Sequence, residues 1–203
     1  MSRSSHCAKP PGPVAPGLRI GLLGGSFNPA HSGHLLISET ALKRLGLHYV
    51  WWLVSPQNPL KPAEGMAPFA DRLKHARFVA RDSRIRVTGI EGDFGTRYTY
   101  DTVKLLKRRF PATRFVWLMG SDNLAQFSRW RGWTSIASML PLAVFVRPGS
   151  VLAPLYSKAA QRYRLAIVAP GPGLAYAAPP ALAVIEAPRS NVNATEIRVA
   201  RFA

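Results

Sequence analysis

The sequence predicts an α/β fold, a doubly wound and mostly parallel sheet with helices on both faces. Three observations point there. Six short apolar runs rich in β-branched and aromatic residues recur along the chain, segments of helical periodicity lie between them, and a Gly-Gly turn joins the first run to a helix. Runs that are apolar throughout, rather than alternating, belong to strands covered on both faces, and such strands pair in parallel through crossover helices.

The elements follow in order. LRIGLLG (18–24) is the first strand and stops at the glycines. Helical spacing then runs over 34–45, followed by the aromatic strand YVWWLVS (49–55). A second helix is predicted over 69–81, then the strand RIRVTGI (84–90), a helix over 100–109 and the strand RFVWLMG (114–120). Periodicity predicts one long helix over 124–140, then LAVFVRP (142–148), a helix over 154–164 and a last strand, LAVIEAP (182–188). The Pro/Gly/Ala stretch APGPGLAYAAPPALA (169–183) is a loop rather than a linker, because a strand pattern follows it.

At 203 residues with 47% hydrophobic content, one core is expected: a single domain over 18–203 behind a flexible tail, 1–17. With 27 Lys and Arg against 10 Asp and Glu the net charge is +17, so an anionic partner is expected, whether nucleotide, nucleic acid or membrane surface. The sign alone does not choose. The basic excess is scattered and no RNA- or DNA-binding module appears, which argues against nucleic acid. A single Cys7 excludes a disulfide framework, cannot make a zinc site alone, and fits a reducing compartment. The tail has no apolar h-region and no run reaches the ~18 residues of a membrane span, so the chain is expected to be soluble and cytoplasmic.

The chemistry gathers in GLLGGSFNPAHSGHLL, Gly21 to Leu36. In open α/β sheets ligands bind outside the carboxyl ends of the strands, where this turn falls. Gly24 and Gly25 let backbone approach a ligand, Pro29 stiffens the turn, and a helix beginning near Ser32 aims its N-terminal amides into the same crevice. His31 and His34, three residues apart, share one helical face and can donate to phosphate oxygens. A helix cap and a pair of metal ligands are the alternatives. No Cys, Asp or Glu lies in the motif to complete a metal site.

Gly25-Ser26-Phe27-Asn28-Pro29-Ala30-His31-Ser32-Gly33-His34 resembles the nucleotidylyltransferase superfamily signature G-x-F-(D/N)-P-x-H-x-G-H, with seven defined positions out of ten. NPLK (58–61), RYTYDTV (97–103), GSDNLAQFSRW (120–130) and NATEIR (193–198) are similar, in order, to blocks of the bacterial nicotinate-nucleotide adenylyltransferases. The resemblance covers 18–198. It implies a Rossmann-like sheet and transfer of AMP from ATP to nicotinate mononucleotide, giving deamido-NAD and pyrophosphate, with Mg²⁺ held mainly by the phosphates and no protein metal site. The resemblance further implies catalytic roles for His31 and His34. ATP would contact Gly24, Gly25, Ser26, Phe27, His31, His34, Thr195 and Arg198, with Lys61 as a further phosphate cation. Nicotinate mononucleotide would contact Thr99, Asp122, Trp130 and Arg131. Asn193 and Ala194 stand where the family carries serines, which puts one hydroxyl contact in question. Other acceptors on the same scaffold, such as phosphopantetheine or a cytidylyltransferase substrate, share the histidines but are not expected with NPLK and GSDNLAQFSRW. Oligomeric state is not legible.

Overall fold

The computed structural model describes residues 9–56, 64–146 and 156–187. Its elements are β1 (Arg19–Gly25), α1 (Ser32–Arg44), β2 (Tyr49–Val54), α2 (Phe69–Val79), β3 (Ile85–Thr88), α3 (Ile90–Phe94), α4 (Thr99–Arg109), β4 (Arg114–Gly120), α5 (Ser121–Phe127), α6 (Trp133–Met139), β5 (Leu142–Val146), α7 (Lys158–Arg162) and β6 (Leu182–Glu186). All six strands pair in parallel, in the order β3-β2-β1-β4-β5-β6. The order reverses between β1 and β4. That reversal opens a crevice at their carboxyl ends, where open sheets of this class hold their ligands.

Two apolar layers sandwich the sheet, and strand alternation assigns them. Ile20 and Leu22 of β1, Trp51 and Leu53 of β2 and Trp117 of β4 face the layer closed by Val103 and Leu106 of α4, Phe127 of α5 and Ile136 of α6. Leu23, Trp52 and Leu118 face the opposite layer, closed by Ala41 and Leu42 of α1, Ala76 of α2 and Leu174. Continuous apolar runs were the sign of strands covered on both sides, and these are. Ahead of β1, Val14 and Leu18 pack against the first layer and the Gly17 amide donates to the Ala112 carbonyl at 3.0 Å.

Three expectations are corrected. The helix over 124–140 is two helices, α5 and α6, because Gly132 turns the chain in the left-handed region at φ +65. A Cβ there would also lie 2.9 Å from the Tyr100 ring, so both backbone and packing require glycine. The third strand stops at Thr88, where the hydroxyl accepts the Ile90 amide at 3.1 Å and starts the short α3, which periodicity does not reveal. The helix over 154–164 is only Lys158–Arg162 among the described residues, set by Ser157, whose Oγ accepts the Ala160 amide at 3.2 Å. Within the 169–183 loop, Pro172–Tyr176 forms a 3-10 turn that packs Leu174 and Ala175 under the sheet.

Candidate active site

The turn between β1 and α1 and the segment after β4 meet at the reversal of strand order. His31 is the N-cap of α1, in extended conformation, and its Nδ1 accepts the Gly33 amide at 3.1 Å. His34, one turn on, accepts the His31 amide at its own Nδ1, at 3.2 Å. The cap alternative therefore holds for His31. An Nδ1 that accepts an amide carries no proton, so the ring proton of each imidazole sits on Nε2. Such a nitrogen suits a phosphate oxygen and does not suit a metal ion. The two ring centroids are 4.0 Å apart.

Buried partners fix this pair. The His34 ring lies 4.6 Å from Phe27, which stacks on Trp52 at 5.0 Å. Phe27 holds a positive φ of 47 while 2% exposed, a strained conformation for a residue with a Cβ that its packing maintains. Trp52 donates through Nε1 to Ser38 Oγ at 2.8 Å, and Ser38 donates to the His34 carbonyl at 2.8 Å. Asn28 bridges the turn to the chain before α2: its Nδ2 donates to the Gly65 carbonyl at 3.0 Å and its Oδ1 accepts the Ala67 amide at 3.2 Å.

The two glycines do different things. A Cβ on Gly24 would lie 2.7 Å from the Trp117 ring, so Gly24 is needed for packing within the core. A Cβ on Gly25 would make only an ordinary contact with Phe27 at 3.5 Å. Trp117 in turn meets Trp130 edge-on, with centroids 6.0 Å apart. Trp130 is thus one indole away from the Gly-Gly turn, half-buried in the break between α5 and α6 and also edge-on to Phe127 at 5.3 Å.

Arg131, next in the chain, reaches the start of α4. The Arg131 guanidinium lies 4.8 Å from the Tyr98 ring centroid and 3.9 Å from Asp101 Oδ2, with 62% of its side chain exposed. Tyr98 is the N-cap of α4 and Thr99 its first residue. Asp122 is exposed in the first turn of α5; Gly120 is the cap there and makes no side-chain bond. Lys61, Asn193, Ala194, Thr195 and Arg198 lie outside the described residues.

Sequence reading missed two buried charged residues behind these loops. Arg72, 2% exposed, donates to the carbonyls of Ser26, Ser55 (2.8 Å), Pro56 (2.7 Å) and Ala67 (2.9 Å), so one guanidinium holds the turn between β1 and α1, the end of β2 and the chain before α2. Among the described residues no carboxylate pairs with it. Burial lowers its pKa, but a guanidinium stays charged. Its signal was legible: Phe69, Arg72, Leu73 and Ala76 share one helical face, and an arginine inside an apolar stripe asks for partners. Glu91, 8% exposed, accepts from Thr102 Oγ1 at 3.2 Å and is hydrogen-bonded by the Ser55 side chain. Burial pushes its carboxyl up to about 7, against the smaller downward pull of those two hydroxyls.

A parallel sheet that reverses at a Gly-Gly turn, with two imidazole donors at a helix start, defines a nucleotidyltransferase of the cytidylyltransferase-like family, whose model matches residues 22–200. A probable nicotinate-nucleotide adenylyltransferase of Methylorubrum extorquens is 51% identical over 183 residues, 89% of this chain and 99% of that one. Another, of Parvibaculum lavamentivorans, is 51% identical over 187 residues, 91% of this chain and 93% of that one. The chain belongs to this family, the nicotinate-nucleotide adenylyltransferases. The Plasmodium falciparum nicotinic acid mononucleotide adenylyltransferase solved with NaAD shares the fold at 16% identity, with a TM-score of 0.67 over 88% of this chain and 82% of that one. Among the described residues no helix is long and apolar enough to cross a membrane.

Proposed function

We infer that the chain transfers the adenylyl group of ATP to nicotinate mononucleotide. A phosphate oxygen of the mononucleotide forms a bond to the α-phosphorus, the bond from that phosphorus to the bridging β-phosphate oxygen breaks, and pyrophosphate leaves with the electron pair. The attacking oxygen is already ionised, so no protein nucleophile or strong base is needed. Positioning and charge stabilisation carry the rate. The observation that carries this reading is the pair of imidazoles, each locked through an Nδ1 that accepts a backbone amide, at the start of a thirteen-residue helix in the crevice. Donors and helix amides suit the negative charge on the transferring phosphoryl group.

On this reading Gly24, Gly25, Ser26 and Phe27 shape the ATP side, with Lys61, Thr195 and Arg198 as further phosphate contacts. Trp130 offers the pyridine ring an indole face, Thr99 and Arg131 serve the nicotinate carboxylate, and Asp122 serves the ribose. Mg²⁺ is the expected companion of ATP. A turn with no carboxylate from Gly24 to His34 fits a metal held by phosphate oxygens and water. When bound, the ion neutralises phosphate charge. The reaction belongs to the cytoplasm, where a chain with one cysteine stays reduced.

The test is pyrophosphate release from Mg-ATP with nicotinate mononucleotide, nicotinamide mononucleotide or phosphopantetheine as acceptor. Donors aimed at a carboxylate are poorly matched to an amide NH₂, so kcat/KM for the acid should exceed that for the amide by at least ~10²-fold. Thr99→Val should narrow the ratio. Comparable rates on acid and amide would leave only a pyridine-nucleotide adenylyltransferase, and preference for phosphopantetheine would overturn the assignment.

A further inference from the structure

The walls of the crevice come from separate parts of the chain. The phosphate turn follows β1, whereas Tyr98 ends, and Thr99 directly follows, a four-residue connection between α3 and α4. Such a connection has no periodic structure of its own to fix it, yet here it is tied down at each end by buried polar groups. Thr96 donates its amide to the Glu91 carbonyl at 2.9 Å, and its hydroxyl lies 2.8 Å from Thr102 Oγ1. Thr102, fully buried in the first turn of α4, gives its proton to Glu91 Oε1, so Thr96 is the donor to Thr102.

From Glu91 the bonding continues across the sheet. The Ser55 hydroxyl reaches the Glu91 carboxyl, the Ser55 carbonyl accepts Arg72 Nη1 at 2.8 Å, and the same Nη1 donates to the Ser26 carbonyl within the phosphate turn. The Ser55 amide closes the set by donating to the Gly25 carbonyl at 2.9 Å. Apolar side chains would fill this space at lower desolvation cost, since a buried carboxyl and a buried guanidinium are both expensive. What they supply instead is direction: a hydrogen-bonded chain has one register, and apolar packing has many.

We propose that Thr102, Glu91, Ser55 and Arg72 are positioning residues that act as one buried chain, setting the Tyr98–Thr99 wall at a fixed distance from the phosphate turn and so tuning the site for its acceptor. The proposal rests on the assignment of Thr99 and Arg131 to the acceptor. None of the four touches the reacting atoms. Arg72 and Asn28 hold the turn independently of the Glu91 end, so cutting the chain at Thr102 or Glu91 frees the acceptor wall and leaves the ATP side in place.

The test compares Thr102→Val and Glu91→Ala with the conservative Thr102→Ser and Glu91→Gln. Thr102→Val keeps the side-chain shape while removing the donor, so it separates the bond from the packing. The two disruptive variants should raise KM for nicotinate mononucleotide by about tenfold or more while KM for ATP stays within about twofold, and the conservative variants should stay near wild type. Equal shifts in both KM values, or no rescue by Ser and Gln, would overturn the proposal. Amide hydrogen exchange supplies a readout free of substrate: Glu91→Ala should speed exchange at Thr96 by about tenfold or more while β1 and β4 amides are unchanged. Unaltered exchange at Thr96 would overturn the chain itself. A wild-type protein that ignores nicotinate mononucleotide would instead overturn the acceptor assignment, with the exchange result still standing.

Discussion

Glu91 should make the protein's stability depend on pH, in a direction that a surface carboxylate would not give. In the folded chain its pKa is pushed up from 4.5 to about 7 by burial. The groups that face it are the hydroxyls of Ser55 at the end of β2 and Thr102 of α4; Arg72 is joined to it only through Ser55. Below about pH 4.5 the carboxyl is protonated in folded and unfolded chains alike, and its contribution to stability is fully present. Between 4.5 and about 7 the unfolded chain has released the proton that the folded chain keeps, so stability falls as pH rises. At about 1.4 kcal/mol per pH unit, the loss amounts to about 3 kcal/mol by the time both states are ionised. Glu91→Gln keeps the shape and cannot ionise, so it should match wild type at pH 5 to within about 1 kcal/mol and exceed it at pH 8 by about 3 kcal/mol. For a chain of this size that is a rise in Tm of roughly 6–12 °C at pH 8. Urea unfolding followed by tryptophan fluorescence at the two pH values measures both terms, and the comparison cancels every other titrating group. An equal difference at pH 5 and pH 8 would refute the reasoning, because a deleted contact carries no pH dependence.

Three further outcomes are expected. His34→Ala should lower kcat by ~10²-fold or more with little change in acceptor KM, the scale of losing one donor to a developing charge; near-normal kcat in a steady-state assay would remove His34 from that role. Trp130→Ala should weaken nicotinate mononucleotide binding by ~1–3 kcal/mol in calorimetry and leave ATP binding intact, with a thermal melt alongside because Trp130 also packs edge-on against Trp117 and Phe127. Gly132→Ala should destabilise the protein by about 1–3 kcal/mol, since the residue sits at φ +65 with the Tyr100 ring 2.9 Å from the new Cβ; an unchanged melting temperature would mean the α5–α6 turn relaxes freely.

What was legible in the sequence, and what was not, divides along a physical line. Strands and the helices that cover them announce themselves by period, because each strand residue faces one of two apolar layers and each helix buries one stripe. The Gly-Gly turn and the spaced histidines were legible because local backbone geometry demands them: His31 must cap, His34 must sit one turn away, and both follow from a ten-residue window. Periodicity failed where a single residue overrode it. Gly132 lies within a run of helical spacing, but its backbone is left-handed and Tyr100, thirty-two positions earlier, fills the space a side chain would need. A greater distance in sequence hid the purpose of Gly24. Its neighbour is Trp117, and only the pairing of β1 with β4 brings the two together. Buried polar groups are the extreme case, because a hydrogen bond between Ser55, Arg72, Glu91 and Thr102 needs four elements in place before any one of them has a partner. A charged residue in an apolar stripe can therefore be flagged from sequence, as Arg72 could have been, but its partner is a property of the tertiary fold. That asymmetry explains why the motif turn of this crevice was legible and its supporting side was not: residues that share one turn cluster in short motifs at strand ends, while those that hold the motifs apart are drawn from wherever the sheet happens to pass.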